Sequence, residues 1–436
     1  MQIKELFIQN FKGFEKKSFS FDPSFNVAIG NNATGKSTLL QAIQVALGGY
    51  LQCLDIPASR NYRRQYKEGE AFVKWNDQER GYVRSLEPTL ITTTAKFSHI
   101  SSDTHWTRLM LKNNTTSHNQ RNAGELISVV EDLLRKKNNS QLSMPIVASF
   151  GTERTVAQLR KGKVAQSRRT KREKAFLAAL SEKVDFDGVI EWMHNYDKEL
   201  EYKKEFPGTK EAVFKAIHSA IPYLKNIEYN SYYQEFEAEV IIDQHTVGKT
   251  LHSNMSDGLK AMLNLVAELA FRCVILNGYK EQDAVLETQG VVLIDELDMH
   301  LHPNWQRHVV QDLRNAFPSV QFIVTSHSPF IVQSLKKEEL IILEEELDVE
   351  SDPFRRSIEE ISSNEMGVKD MPRSKAFLEM EEIAANYYNL IEQGKTSETD
   401  AEVAELRNQL NELEDKFSED PAFVALLKSE RKSSNL

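Results

Sequence analysis

Phe25-Asn26-Val27-Ala28-Ile29-Gly30-Asn31-Asn32-Ala33-Thr34-Gly35-Lys36-Ser37-Thr38 decides the fold. Its first five residues read as a short apolar strand, and the periodicity from about Ser37 to Leu47 predicts a helix. The octet Gly30 to Ser37 therefore falls at a strand-to-helix turn. The two glycines let backbone N–H groups turn inward, Lys36 brings a point charge, and the Ser37 hydroxyl can ligate Mg²⁺. That is the donor set for a polyphosphate. The competing reading is a glycine turn that only caps a helix. A strand before and a helix after are what make the pattern specific.

At 436 residues the chain suggests two or three structural units, and 40% hydrophobic with 27% charged residues is ordinary for a soluble globular protein. The apolar stretch Ala261 to Leu276 is interrupted by Asn264, Glu268 and Arg272, so it reads as a buried helix and not a membrane span. The opening MQIKELFIQN carries Lys4 and Glu5 and lacks a secretory h-region. Cys53 and Cys273 are far apart and without metal-ligand spacing, and a reduced, cytoplasmic protein without a membrane partner is expected. The formal charge of −10 disfavours a chain coated in nucleic acid. Within it, however, Arg160, Lys161, Lys163, Arg168, Arg169, Lys171, Arg172 and Lys174 face the single acid Glu173. This run reads either as a solvated loop or as a phosphate-backbone contact.

Strands are expected at Ile3–Ile8, Lys17–Phe21 and Phe25–Ile29, and periodicity is weak between Tyr50 and Gln141. Lys112 to Arg121 is polar and reads as a loop. Pro145–Phe150 reads as a buried strand running into Gly151-Thr152-Glu153-Arg154, and helices dominate from Lys174 to Leu224. Strand-like runs follow at Ile227–Tyr229 and Ala238–Ile242. From Ser256 the predicted order is a helix to Leu276, strand Gly290–Ile294, helix Trp305–Ala316, strand Val320–Thr325 and strand Leu340–Leu343. That alternation implies a mainly parallel sheet. The expected division is 1–150, 151–250 (helical lobe with the basic insert), 251–345 and 346–436. In the last part Phe377, Met380, Ala384, Tyr387 and Ile391, then Val403, Leu406, Leu410, Leu413 and Phe417, follow helical spacing on either side of Gly394–Asp400. The pattern is a helical hairpin, either packed on itself or docking a partner or second copy.

Four apolar residues, Val291 to Ile294, deliver Asp295 and Glu296 at a strand end. Asp295 suits the water shell of a metal, and Glu296 suits the water that attacks a γ-phosphate. Asp298-Met299-His300-Leu301-His302 follows, and Phe322–Thr325 leads to His327, placed to sense the γ-phosphate. His300 and His302 lack a third ligand at useful spacing, which favours a structural role. Upstream, Ser256-Asp257-Gly258 opens a helix with Ser256 as N-cap and Gly258 permitting close backbone approach, a second anion-binding helix start.

In this order the phosphate loop, Ser256–Gly258, Asp295–Glu296, Asp298 and His327 resemble the ABC-type ATPases of the SMC, RecF and OLD branch. Ile8-Gln9-Asn10-Phe11-Lys12-Gly13-Phe14 is similar to that branch's first strand and turn. The resemblance covers roughly residues 1–345. It implies an α/β ABC-type ATPase head with antiparallel N-terminal strands. It further implies a head-to-head dimer or higher oligomer holding ATP and Mg²⁺ between each phosphate loop, Gly30 to Thr38, and the partner copy's Ser256 to Gly258. Ser37 and Asp295 would serve the metal, Glu296 and His327 catalysis, and Asp298 the nucleotide. One departure stands out: where the family carries a Gln, this chain has Gly151-Thr152-Glu153-Arg154.

From Arg373 onward the chain is similar to the C-terminus of the PtuA-like ATPase subunits of Septu-type and retron-associated anti-phage systems. That similarity implies docking of an HNH nuclease of the PtuB type, with retron RNA or DNA, or phage DNA, as the nucleic acid involved. Two alternatives differ in class. An OLD-type nuclease needs strand-borne acidic pairs after His327, where only Glu344, Glu345 and Glu346 follow a strand. A RecF-like repair ATPase would bind DNA directly through the basic run.

Overall fold

The computed structural model describes residues 1–54, 64–78, 80–85, 87–111, 115–135, 142–155, 171–202, 204–242, 245–344, 351–367, 382–383, 386–387, 389–390, 393 and 401–416. The chain forms two compact units, Met1–Gly367 and Val368–Leu436.

The first unit opens with the hairpin β1 (Gln2–Phe11) and β2 (Phe14–Ser20), then β3 (Phe25–Ile29) and α1 (Lys36–Cys53). A small hairpin of β4 (Val73–Asn76) and β5 (Gly81–Arg84) precedes β6 (Leu90–Lys96), β7 (Asp103–Leu109) and α2 (Gln120–Arg135). β1 and β2 join β6 and β7 in an antiparallel sheet of order β2-β1-β6-β7. Both later strands, and α2, fall where the sequence shows weak periodicity. The reason is chemical: the inward face of β6 is Ile91, Thr93 and Ala95, and that of β7 is Thr104, Trp106 and Arg108. Polar groups on the buried face blur the two-residue alternation that marks a strand.

β8 (Ile146–Phe150) is followed by α3 (Lys171–Lys174), α4 (Phe186–Glu201) and α5 (Thr209–Ala220). The meander β9 (Leu224–Asn230), β10 (Glu235–Ile242) and β11 (His245–Leu251) leads into α6 (Asp257–Asn277). Then come β12 (Gly290–Ile294), α7 (Pro303–Gln306), α8 (Val309–Ala316), β13 (Val320–Thr325), α9 (Pro329–Val332), β14 (Leu340–Ile342) and α10 (Ile358–Asn364). The single helix expected over Trp305–Ala316 is broken at His308, whose Nε2 meets the Tyr223 hydroxyl while Nδ1 meets Asp312.

Five strands form a wholly parallel sheet in the order β14-β3-β13-β12-β8. β3, β8, β12 and β13 are buried along their whole length, which suits central parallel strands covered on both faces. Their few polar side chains are all engaged. Gln321 exchanges hydrogen bonds with the backbone of Ile3 (2.8 and 2.7 Å), tying the parallel sheet to the antiparallel one. α6 is buried from Ala261 to Asn277. Asn264, Glu268 and Arg272 are four residues apart and share one face. Glu268 accepts from Asp185 N at 2.6 Å and pairs with Arg272, which also donates to the carbonyls of Ala175 and Leu177. The polar interruptions that spoil a membrane span thus anchor the helical lobe. No helix among the described residues is long and apolar enough to cross a membrane.

In the second unit, α11 (Ala401–Lys416) buries Val403 and Leu410 with Tyr387, and Ile383, Leu390 and Leu406 pack around them. Of the first helical seam only Tyr387 is among the described residues, and it shares this cluster with Val403 and Leu410 of the second. Phe377, Met380, Ala384, Ile391, Gly394–Asp400 and Phe417 lie outside the described residues, as do Arg160 to Arg169 of the basic run and Gln141.

Candidate nucleotide site

The register of the parallel sheet aligns the carboxyl ends of its strands. Ile294 pairs with both Phe150 and Val324, and Thr325 with Ala28. The turns after β3, β8, β12, β13 and β14 carry Gly30–Ser37, Gly151–Arg154, Asp295–Glu296, His327 and Glu344 to one edge. This is where open α/β sheets bind ligands.

At the phosphate loop, Gly35 has φ +105°, and a Cβ there would lie 2.7 Å from the Phe14 ring. Only glycine fits both the backbone and the neighbour. No side chain caps α1 and no acid stands in its first turn, so its N–H groups and dipole are presented outward. Lys36 Nζ donates to the carbonyls of Gly30 (2.6 Å) and Asn31 (2.9 Å). Burial lowers the Lys36 pKa, while Asp295, Glu296, Glu344 and Asp298 act in the opposite direction. The amide of Asn31 donates to Glu344 Oε1 at 2.6 Å. Beside the loop lies a cavity of about 630 Å³ lined by Phe14, Lys16, Lys17, Thr34, Phe72 and Glu344. Thr34 Oγ1 bonds the Asn31 carbonyl, and Asn32 and Ala33 complete the turn, Ala33 with φ +71°. Thr38 follows in the first turn of α1.

Ser37 Oγ lies 3.2 Å from Asp295 Oδ2, although 258 residues separate them. Thr325 Oγ1 donates to Asp295 Oδ1 at 2.6 Å and accepts from Glu296 N at 2.7 Å. A hydroxyl and a carboxylate converging in this way are hard oxygen donors suited to Mg²⁺ beside a phosphate. Glu296 itself has φ +49°. A left-handed conformation in a non-glycine residue costs about 1–2 kcal/mol and needs fixing by its surroundings. Thr325 does part of this. Its signal in the sequence was slight, one hydroxyl ending an apolar strand.

Arg154 does more. It is 1% exposed, and its guanidinium donates to the carbonyls of Asp295 (2.7 Å), Glu296, Leu297 (3.4 Å) and Gly151 (3.3 Å). Burial pushes its pKa down to about 10 against the pull of Asp298, Asp295 and Glu296, so it remains charged at neutral pH. Each carbonyl orphaned by losing it would cost about 1–3 kcal/mol. The Arg154 carbonyl accepts from Asn264 Nδ2 at 3.1 Å, which turns Asn264 Oδ1 toward His252 Nε2 at 2.8 Å. Asn264 Oδ1 can only accept, so His252 carries its proton on Nε2. Burial lowers the His252 pKa, with the Asn264 bond opposing.

Ser256 caps α6 through Leu259 N (3.5 Å). A Cβ on Gly258 would meet the His300 carbonyl at 2.5 Å, so the close approach here is to the chain's own backbone. The start of α6 lines a separate cavity of about 420 Å³ with Tyr223, His300, His302 and Trp305. None of Gly30 to Ser37 lines it. Asp298 Oδ1 accepts from His327 N at 3.2 Å, and the His327 ring is exposed beyond β13. Gln306 braces both turns, donating to Leu301 O (2.8 Å) and accepting from Ser328 Oγ (2.6 Å). His302 Nδ1 accepts from Asn304 N at 3.3 Å, capping α7.

A phosphate loop on one parallel strand, facing an acid pair two strands away, defines a P-loop ATPase. A family profile described as "AAA domain" matches residues 5–225. Another, described as "AAA domain, putative AbiEii toxin, Type IV TA system", matches residues 149–333. The chain belongs to the AAA-domain family and is an ATPase. It is 26% identical to the probable ATPase of retron Vc95 from Vibrio cholerae serotype O1 biovar El Tor, over 91% of this chain and 84% of that protein. The probable ATPase of retron Ec83 from Escherichia coli is 23% identical, over 79% and 71%. The Septu protein PtuA of Bacillus mycoides is 33% identical, over 28% of this chain and 18% of that protein. An SMC head bound to the C-winged helix domain of ScpA superposes with a TM-score of 0.46 at 16% identity, over 78% of this chain and 94% of that one. The architecture rests on the strand order above and not on that likeness.

Proposed function

We propose that this chain is the ATP-dependent regulatory subunit of an anti-phage defence complex, and that its heads pair around ATP to control an HNH-type nuclease carried on another chain. The similarity to retron and Septu proteins supports the defence setting. The pairing of heads is supported by the separation within one chain of the Ser256–Gly258 cavity from the phosphate loop. A second copy would bring the two halves together. The second unit is the part of the chain we assign to docking of the nuclease, through surface other than the seam that Tyr387, Val403 and Leu410 bury.

The observation that carries the ATPase chemistry is the convergence of Ser37, Asp295, Thr325 and Glu296. When bound, Mg·ATP would supply the transferable phosphoryl group and a hard cation, which Ser37 Oγ and Asp295 would hold. Lys36 would exchange its two carbonyl contacts for phosphate oxygens. Glu296 would orient a water and accept its proton, and His327 would sense the terminal phosphate from the end of β13. Glu296→Gln tests this. ATP binding should stay within about threefold of the unaltered chain while single-turnover hydrolysis falls about 10²-fold or more. Hydrolysis at the normal rate would remove Glu296 from the mechanism.

A further inference from the structure

We propose that Arg154 is a positioning residue for ATP hydrolysis: it holds the catalytic carboxylate's turn in place and links that turn to α6, the helix that begins with Ser256 to Gly258. The proposal rests on the reading of Glu296 as the base.

Three observations carry it. First, all the guanidinium's hydrogen bonds in this region are to backbone carbonyls, those of Asp295, Glu296 and Leu297 on one side and Gly151 on the other. A bidentate pair with the Glu296 carboxylate would make it a weaker base. By gripping the carbonyls instead, Arg154 fixes the direction of the side chain and leaves its oxygens available. Second, the turn it grips contains Glu296 at φ +49°, a conformation that the residue does not hold on its own. The Thr325 hydroxyl fixes the amide side of Glu296, and Arg154 fixes the carbonyl side together with the Met299 amide, which donates to the same carbonyl at 3.0 Å. Third, Arg154 is itself anchored. Its carbonyl accepts from Asn264 Nδ2, in the second turn of α6 beyond Ser256, and Asn264 is held by His252. At the other end of the same turn, Gly258 rests on the His300 carbonyl. The turn bearing Glu296 and Asp298 is therefore held to α6 at two points, one of which runs through Arg154. A displacement of the α6 N-terminus, such as a second copy would cause on closing, would reach the base through the four hydrogen bonds of the guanidinium.

A packing role alone would lower stability and leave the ratio of binding to turnover unchanged. A positioning role separates the two. The test measures ATP affinity and single-turnover rate on the full chain for Arg154→Gln, Arg154→Lys and, in parallel, Glu296→Gln. Misplacing a reacting group by about 1 Å can cost about 10²-fold, so Arg154→Gln should keep ATP affinity within about threefold and lose about 100-fold in turnover. Arg154→Lys, which keeps the charge and part of the donor set, should recover about tenfold of that loss. Should Arg154→Gln lose its cooperative melt, Arg154→Lys carries the test alone, with affinity retained and turnover reduced about tenfold. A folded variant with turnover within about twofold of normal overturns the proposal, as does a loss of affinity that matches the loss of rate. Normal turnover in Arg154 variants beside an inactive Glu296→Gln removes only the role of Arg154. Normal turnover in Glu296→Gln removes the reading of the base, and the Arg154 proposal with it.

Discussion

Two helices in this molecule point their N-termini toward anion chemistry, and they are prepared for it in opposite ways. α1 begins at Gly35 in a left-handed conformation, with no side-chain cap, no acid in its first turn and Lys36 at its head. α6 begins with its cap already engaged by Ser256, with Asp257 in its first turn and Gly258 pressed against the His300 carbonyl. The first presents the open N–H groups of a helix start, a positive dipole and an ammonium, with Glu344 accepting from the Asn31 amide of the same loop. The second has one amide satisfied and a negative charge beside it, so its attraction for a free phosphate is weak. Under the proposed pairing of heads the difference gives an order of events: the phosphate loop would capture the nucleotide, and the start of α6 would read a nucleotide that is already held.

The contrast can be broken at either end. The largest expected effect is at the cradle. Lys36→Ala removes the one cation of the loop and should reduce ATP affinity about 100-fold or more, measured by equilibrium binding. Retained affinity would show that the open amides of α1 suffice. A smaller effect is expected at the reader. Gly258→Ala places a methyl group against a backbone carbonyl that cannot rotate away, and should cost about 1–3 kcal/mol of stability in a denaturant melt. That loss should appear in the chain alone, without nucleotide, because the clash is within one molecule. ATP affinity should hardly change. An unchanged melt would mean that the Asp298–His302 loop yields freely, and the link between α6 and the catalytic turn would lose one of its two points.

Much of this arrangement was legible in the sequence because parallel-sheet architecture concentrates chemistry at strand ends. β3, β12 and β13 have the predicted bounds, and Asp295, Glu296 and His327 stand just beyond them. Less legible were the elements stabilised by tertiary contacts. β7 buries Arg108, whose guanidinium bonds the Ser117 carbonyl at 2.9 Å, and a strand with an inward arginine has no apolar period to detect. Arg154 was visible only as a departure from an expected Gln. Nothing local reveals that its guanidinium closes on carbonyls more than 140 residues ahead. Gly258 reads in the sequence as permitting close backbone approach, and the structure places the His300 carbonyl against it. In each case the local pattern identified the residue type but not the distant group that required it.

On the proposed function, each chain carries both halves of the ATP site, and a second copy completes it. The direct measurement is the mass of the Glu296→Gln chain by sedimentation velocity, with and without Mg·ATP, since slowed turnover preserves whatever assembly ATP induces. Pairing of the heads requires the mass to double when ATP is bound, and Ser256→Arg on the same background should abolish the doubling while ATP remains bound. A chain that binds and retains ATP with no change in mass would contradict it.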